Sequence, residues 1–286
     1  MKTDISKLNI PKNFKILFER IKSEHYEELY EKESDGTVLL ADDIEEILIS
    51  LSDNHKNNKN FTHLCYLWMT LILTLVAQPT LRYYQPRNLL PQKIINVLIY
   101  KIIEIIDNNS ISQSYNIPEF NPKKFSNHTL KQQFYIEKEI VNFQILDEAL
   151  DVFYNAIRVV NYDQAVEAIL NILEDCLEGY AIFPGSHGRR ELFDWWLLDV
   201  VPSSYNLLPP KIFYVVEGVQ NREEIKSHQT LLLKTVSDKI RHLITKVELT
   251  KRNKNIFNNF HQINRMSFPD SRKIYQSKIP QLTNDR

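Results

Sequence analysis

The chain has 286 residues, enough to bury a sizeable core as one large domain or two small ones. Its 43% hydrophobic and 25% charged residues are those of a soluble globular protein, and the net charge of −1 hides blocks of opposite sign along the chain. Five glycines argue against sheets joined by tight turns, and two cysteines, Cys65 and Cys176, argue against a secreted disulfide scaffold.

In chain order, residues 12–31 read as a first helix with Phe14, Leu17, Phe18 and Ile21 on one face. After the turn "SDGT", the acids that open "DDIEEILISLSDN" suit a helix N-terminus. The polar loop "HKNNKN" leads into "FTHLCYLWMTLILTLVAQPTL", which holds no Asp, Glu, Lys or Arg from Phe61 to Leu81. It is almost long enough to span a bilayer, but it carries His63, threonines and Gln78, and Pro79 is expected to close it after about 17 helical positions. The expectation is therefore a helix over 61–77 buried on all sides, with no membrane contact.

Residues 79–91 hold three prolines and read as an irregular connection, and "PQKIINVLIYKIIEIID" from Pro91 reads as an amphipathic helix. Residues 108–127, rich in Asn, Ser and Pro, form a loop or sub-boundary. Helices are expected at about 129–142, 144–160 and 163–178, the last capped by Asp163 and ended by Gly179. "KIFYVVE" at 211–217 is the best strand candidate and "TVLL" at 37–40 a weaker one. Residues 222 to about 250 repeat apolar positions at three and four and read as a long helix. The expected architecture is all-α: an irregular helical bundle over 1–267 with at most one short two-stranded β element, then a loose tail at 268–286.

One stretch departs from the rest. "FPGSHGRRELFDWW" at 183–196 contains two of the five glycines, Gly185 and Gly188. A glycine loop that enters a helix offers free backbone N–H groups at the positive end of the helix dipole, which makes an anion site. Arg189 and Arg190 in the first turn oppose that dipole by about 0.3–1 kcal/mol each unless something negative is near. Asp194, one turn on, supplies it from within, or a partner supplies it from outside. The candidate anion- or partner-binding residues are Ser186, His187, Arg189, Arg190 and Trp195, with one tryptophan of the Trp195–Trp196 pair at the surface. The stretch lacks the Lys-Ser/Thr ending of a Walker loop and the third glycine of a dinucleotide fingerprint.

Charge is unevenly placed. Residues 134–180 carry ten acids and two bases, and residues 241–286 carry ten bases and three acids. Lys251, Arg252, Lys254, Phe257 and Arg265 are candidate nucleic-acid contacts, since bases interleaved with aromatics hold phosphates and stack on nucleobases. The acidic clusters Asp147/Glu148/Asp151 and Glu174/Asp175/Glu178 read as solvated helix faces. No His follows a Glu by three, and no His-Glu-x-x-His, Cys-x-x-Cys or Gly-x-Ser-x-Gly occurs, so no metal, cofactor or catalytic residue is expected. The N-terminus "MKTDISKLNI" has no apolar signal core, and the expected setting is the cytoplasm. The resulting expectation is a non-enzymatic adaptor or regulatory protein that binds a protein partner. The alternative is a nucleic-acid binder acting through 241–286, and a third reading is an enzyme acting on a phosphorylated substrate, with Arg189 and Arg190 as clamps and His187 as acid or base.

Overall fold

The structure, a computed structural model, describes residues 10–25, 40–53, 58–107, 144–177, 187–215 and 221–266; for residues 144, 187 and 247–266 it describes the backbone alone. Most of those residues are helical, and no strand occurs among them, so the fold is all-α. The expected helix at 129–142, the loop at 108–127 and the tail at 268–286 lie outside the described residues.

The helices are α1 (Lys12–Glu24), α2 (Leu40–Asp53), α3 (Lys59–Tyr84), α4 (Leu90–Asp107), α5 (Gln144–Arg158), α6 (Ala165–Asp175), α7 (His187–Trp195), α8 (Val201–Tyr205) and α9 (Arg222–Met266). A 3₁₀ turn, Tyr162–Gln164, precedes α6, and a π-turn, Trp196–Val200, joins α7 to α8. The chain divides into two compact units, Met1–Arg241 and His242–Arg286.

Helix α3 lies at the centre of the first unit. Asn58 caps it by accepting from the Phe61 N–H at 3.1 Å, and its side chains from Thr62 to Gln78 are all buried. It touches α2, α4, α5, α6 and α8. It is long and apolar enough to cross a membrane, but 89% of its most apolar window is buried by the protein itself.

Pro79 does not close the helix as expected. The proline removes one backbone donor, at a cost of about 3 kcal/mol in a helix interior. Burial of Gln78 and Leu81 on either side outweighs that cost, and the helix continues to Tyr84. Polar atoms inside α3 are tied to neighbours. His63 Nε2 donates to the Val159 carbonyl at 2.8 Å, and burial pushes its pKa down, which keeps it neutral. Tyr66 donates to the Leu48 carbonyl at 2.7 Å, and Gln78 accepts from Gln229 of α9 at 2.7 Å.

Asn161, rather than Asp163, caps the entry to α6: its side chain accepts from the Asp163 N–H, while Asp163 pairs with Lys59 at 3.2 Å. Leu40, the last residue of the weaker strand candidate, opens α2. In the stronger candidate, residues 211–215 are irregular rather than a strand. Phe213, Tyr214 and Val215 are buried there without the alternation a half-buried strand needs.

Helix α8 ends in a Schellman motif. The Leu208 N–H reaches the Ser203 carbonyl at 2.9 Å and the Leu207 N–H reaches the Ser204 carbonyl at 3.2 Å. The position that glycine normally fills is Leu207, at φ 52°. The bend is fastened from outside: Trp68 Nε1 donates to the Leu208 carbonyl and Ser237 Oγ to the Leu207 carbonyl, both at 2.8 Å.

A charge placed in α3 has no route to water. Leu71→Asp or Leu73→Asp is expected to abolish folding, and Leu71→Ala to cost about 2–5 kcal/mol. Circular dichroism and urea titration check both; a soluble Leu71→Asp protein with an unchanged melting temperature would contradict a central α3.

Candidate functional site

Helix α7 and the segment after it hold the sequence candidates. The two adjacent arginines point to different surroundings. Arg190 is buried at 8% exposure; its Nη1 donates to the His25 carbonyl at 3.1 Å and its Nη2 to the Lys22 carbonyl at 3.0 Å. These are carbonyls at the C-terminal end of α1, where a cation is favoured by the dipole. Asp194 adds a further counter-charge: its Oδ1 lies 3.4 Å from Arg190 Nε, within ion-pair range though not aligned for a hydrogen bond, and its Oδ2 lies 3.5 Å from Lys22 Nζ. Of the two arginines offered as anion- or partner-binding candidates, Arg190 is therefore engaged from within, by α1 and Asp194.

Arg189 is half-buried in the first turn of α7; its Nε is sheltered from water and has no hydrogen-bond partner. His187 opens α7 by its backbone, and Pro184, Gly185 and Ser186 lie outside the described residues.

Neither tryptophan reaches the surface, contrary to the expectation from their 100° separation on a helix. Trp195 is 8% exposed, donates from Nε1 to the Ile212 carbonyl at 2.7 Å and packs its ring on Phe213 and Tyr214. Trp196 is fully buried against Phe193. The physical reason lies in 211–215: with no partner strand, this irregular stretch folds over Trp195 as a cover. In the π-turn, Asp199 is buried at 9% exposure with Oδ1 lacking a hydrogen-bond partner. Burial pushes its carboxyl pKa up, and Lys211 partly offsets the rise.

A polar cluster that the sequence does not reveal adjoins this site. His25 Nε2 donates to Asp43 Oδ2 at 2.6 Å, with both side chains almost inaccessible. Asp43 also accepts from Arg20, which reaches Glu46 as well. The His25 residue thus links α2 through its ring and α7 through its carbonyl. Its partners lie 18 and 165 positions away, too far for any periodicity to show.

A second cluster corrects the reading of solvated acidic faces. Asp175 of α6 meets Glu148 and Asp151 of α5 and is half-buried there. Burial, and then the like charges of Asp151 and Glu148, push its carboxyl up to about 8, against the pull of an amide hydrogen bond from Asn155 at 3.2 Å. Glu174 remains exposed, and Glu178 is outside the described residues. Among the described residues, no group of three or more His, Cys, Asp and Glu side chains is placed to hold a metal ion. Cys65 and Cys176 are both free and buried, and burial raises both thiol pKa values, which leaves them protonated and unreactive.

The basic candidates Lys251, Arg252, Lys254, Phe257 and Arg265 all fall on α9, which runs without a break from Arg222 to Met266. Its last buried side chain among those described is Ile240; from Arg241 to Lys246 the side chains are exposed or half-buried. No family model, curated protein or solved structure matches the chain.

Two outcomes follow from this geometry. Arg190→Ala is expected to cost about 2–3 kcal/mol in urea titration, because it strips two carbonyls and Asp194 of a buried cation. Arg190→Lys should recover only part, since an ammonium cannot span both carbonyls as the guanidinium fork does. For Asp175, the folded pKa is raised, so its contribution to stability is fully present below about pH 4 and is lost as pH rises through about 8. Asp175→Asn should therefore flatten the fall of melting temperature over that window and leave the protein more stable than wild type at alkaline pH.

Proposed function

We propose that the chain is a non-enzymatic helical adaptor or regulatory protein that binds a protein partner, and that Arg189 is the residue of the 184–196 corner that meets an anionic group on it. The observation that supports this reading is the contrast between neighbours. Arg190 is satisfied by carbonyls and Asp194, while Arg189 has no ion pair or hydrogen bond with a described residue. It stands in the first turn of α7, where the helix dipole already favours negative charge. A carboxylate or phosphate on a partner would satisfy both the guanidinium and the helix end. A cytoplasmic setting suits two reduced, buried thiols.

Proximity labelling in cells tests the reading. Arg189→Ala should change stability by about 1 kcal/mol or less, because no hydrogen bond or ion pair with a described residue is lost with it, and both Arg189→Ala and Arg189→Glu should remove specific neighbours from the labelled set. An unchanged set with Arg189→Glu overturns the assignment.

A second reading is favoured by a separate observation. The stretch 241–266 is one continuous helical run carrying six bases and one acid. Basic residues on such a run suit contact with a phosphate backbone, and the phenylalanines at 257 and 260 are of the residue type that stacks on bases. If it binds nucleic acid, fluorescence anisotropy should show affinity falling on the order of a thousandfold between about 50 and 200 mM salt for six phosphate contacts. No binding at low salt to single- or double-stranded probes removes this reading.

A further inference from the structure

The corner that joins α3 to α4 belongs to none of these sites. Tyr83 and Leu89 are 76% and 69% exposed, which is unusual for large apolar side chains flanking one turn. Arg82, Pro86, Arg87 and Lys93 are exposed beside them. Residues 54–103 contain no Asp or Glu, and none of the three cations has a side-chain partner among the described residues. The turn itself is held firmly. Asn88 donates to Gln85 Oε1 at 2.7 Å, accepts from the Leu90 N–H at 2.9 Å and closes the turn with its own N–H on the Gln85 carbonyl at 3.0 Å. The Tyr83 ring meets Tyr84 edge-on, with centroids 5.0 Å apart.

We propose that this corner is a docking surface for an acidic peptide segment of a partner protein, one that carries a bulky apolar side chain between its carboxylates. Charge complementarity fixes the first half of that chemistry: two arginines and a lysine stand without counter-charges, and the arginine fork matches a carboxylate in two parallel hydrogen bonds. Tyr83 and Leu89 fix the second half. They supply an exposed apolar centre inside a cationic rim, with tyrosine and arginine, the residue types that interfaces favour. The hydrogen-bonded turn holds them in place before binding, so little ordering cost is left. A polynucleotide would leave Leu89 and Pro86 without an apolar partner. This surface is separate in the chain from the Arg189 corner and does not rest on it.

The test is a selection from a random dodecamer peptide library displayed on phage, with wild-type protein as bait and the Arg82→Glu/Arg87→Glu variant as counter-bait. Arg82, Tyr83, Arg87 and Leu89 are all exposed, so the variants at these positions should keep the wild-type melting temperature. Enriched peptides are expected to carry net negative charge and an aromatic or branched aliphatic residue. Their affinity should fall at least about tenfold for the charge-reversed variant, the size of a single hot-spot loss, and by a similar factor for Tyr83→Ala/Leu89→Ser. Arg189→Ala should leave it unchanged. No enrichment, enriched peptides without that composition, or equal binding to the variants would overturn the proposal. So would binding of single-stranded oligonucleotides or phosphatidylserine vesicles that depends on these residues while no peptide binds.

Discussion

Helix α3 cannot show any face to water, and the rest of the first unit is arranged to satisfy that. An amphipathic helix needs one neighbour; a helix apolar all round needs several, placed around its circumference. Here α2, α4, α5, α6 and α8 supply them. Of those neighbours, α2, α4, α5 and α6 are amphipathic and turn their apolar faces inward, while the short α8 is buried from Val201 to Ser204, serines included. The few polar atoms in α3 become register marks. His63, Tyr66, Trp68 and Gln78 each bond to a different segment, and an apolar surface of equal area would permit many sliding positions that these bonds reject.

Arg190 does the corresponding work at the edge of the unit. It brings a cation to the negative end of α1 while Asp194 balances it, so that two helices distant in sequence share one buried polar contact. The His25–Asp43 bond adds α2 to the same place. Charge that is costly to bury alone is tolerable here because every charged group meets an opposite charge or a helix end. Next to this closed arrangement, Arg189, Arg82 and Arg87 have no side-chain partner among the described residues, which sets them apart as chemically open positions.

The helical class was legible because it depends on periodicity and glycine content, which are local. Helices α2, α4 and the first half of α9 stand close to their expected bounds, and α1 starts at Lys12 as expected but ends at Glu24, short of residue 31. Pro79 misled because its local penalty is smaller than the burial on either side of it. "KIFYVVE" misled because strand-like composition reports apolar demand, which Phe213 and Tyr214 meet by covering Trp195 instead of pairing with a second strand. At the candidate site the Arg190–Asp194 spacing was legible in the sequence. It could not separate the two arginines, because their environments are set by carbonyls more than 160 positions away. The α3–α4 corner escaped notice for a different reason: exposure of Tyr83 and Leu89 is a property of the assembled surface and leaves no mark in the spacing of residues.

The bend at Leu207 has a consequence for how the chain assembles. A leucine in the left-handed region is disfavoured by about 1–2 kcal/mol, so the isolated segment would rather be extended or continue its helix. The donors that hold it, Trp68 and Ser237, lie 140 and 30 positions away from the carbonyls they fasten. The turn therefore has no stability of its own to contribute early and can close only when α3 and α9 have already arrived. Its amide protons then act as a gauge of completed assembly: they become slow to exchange with solvent only in molecules whose remote helices are in place, and they report loss of that arrangement before any helix has unwound.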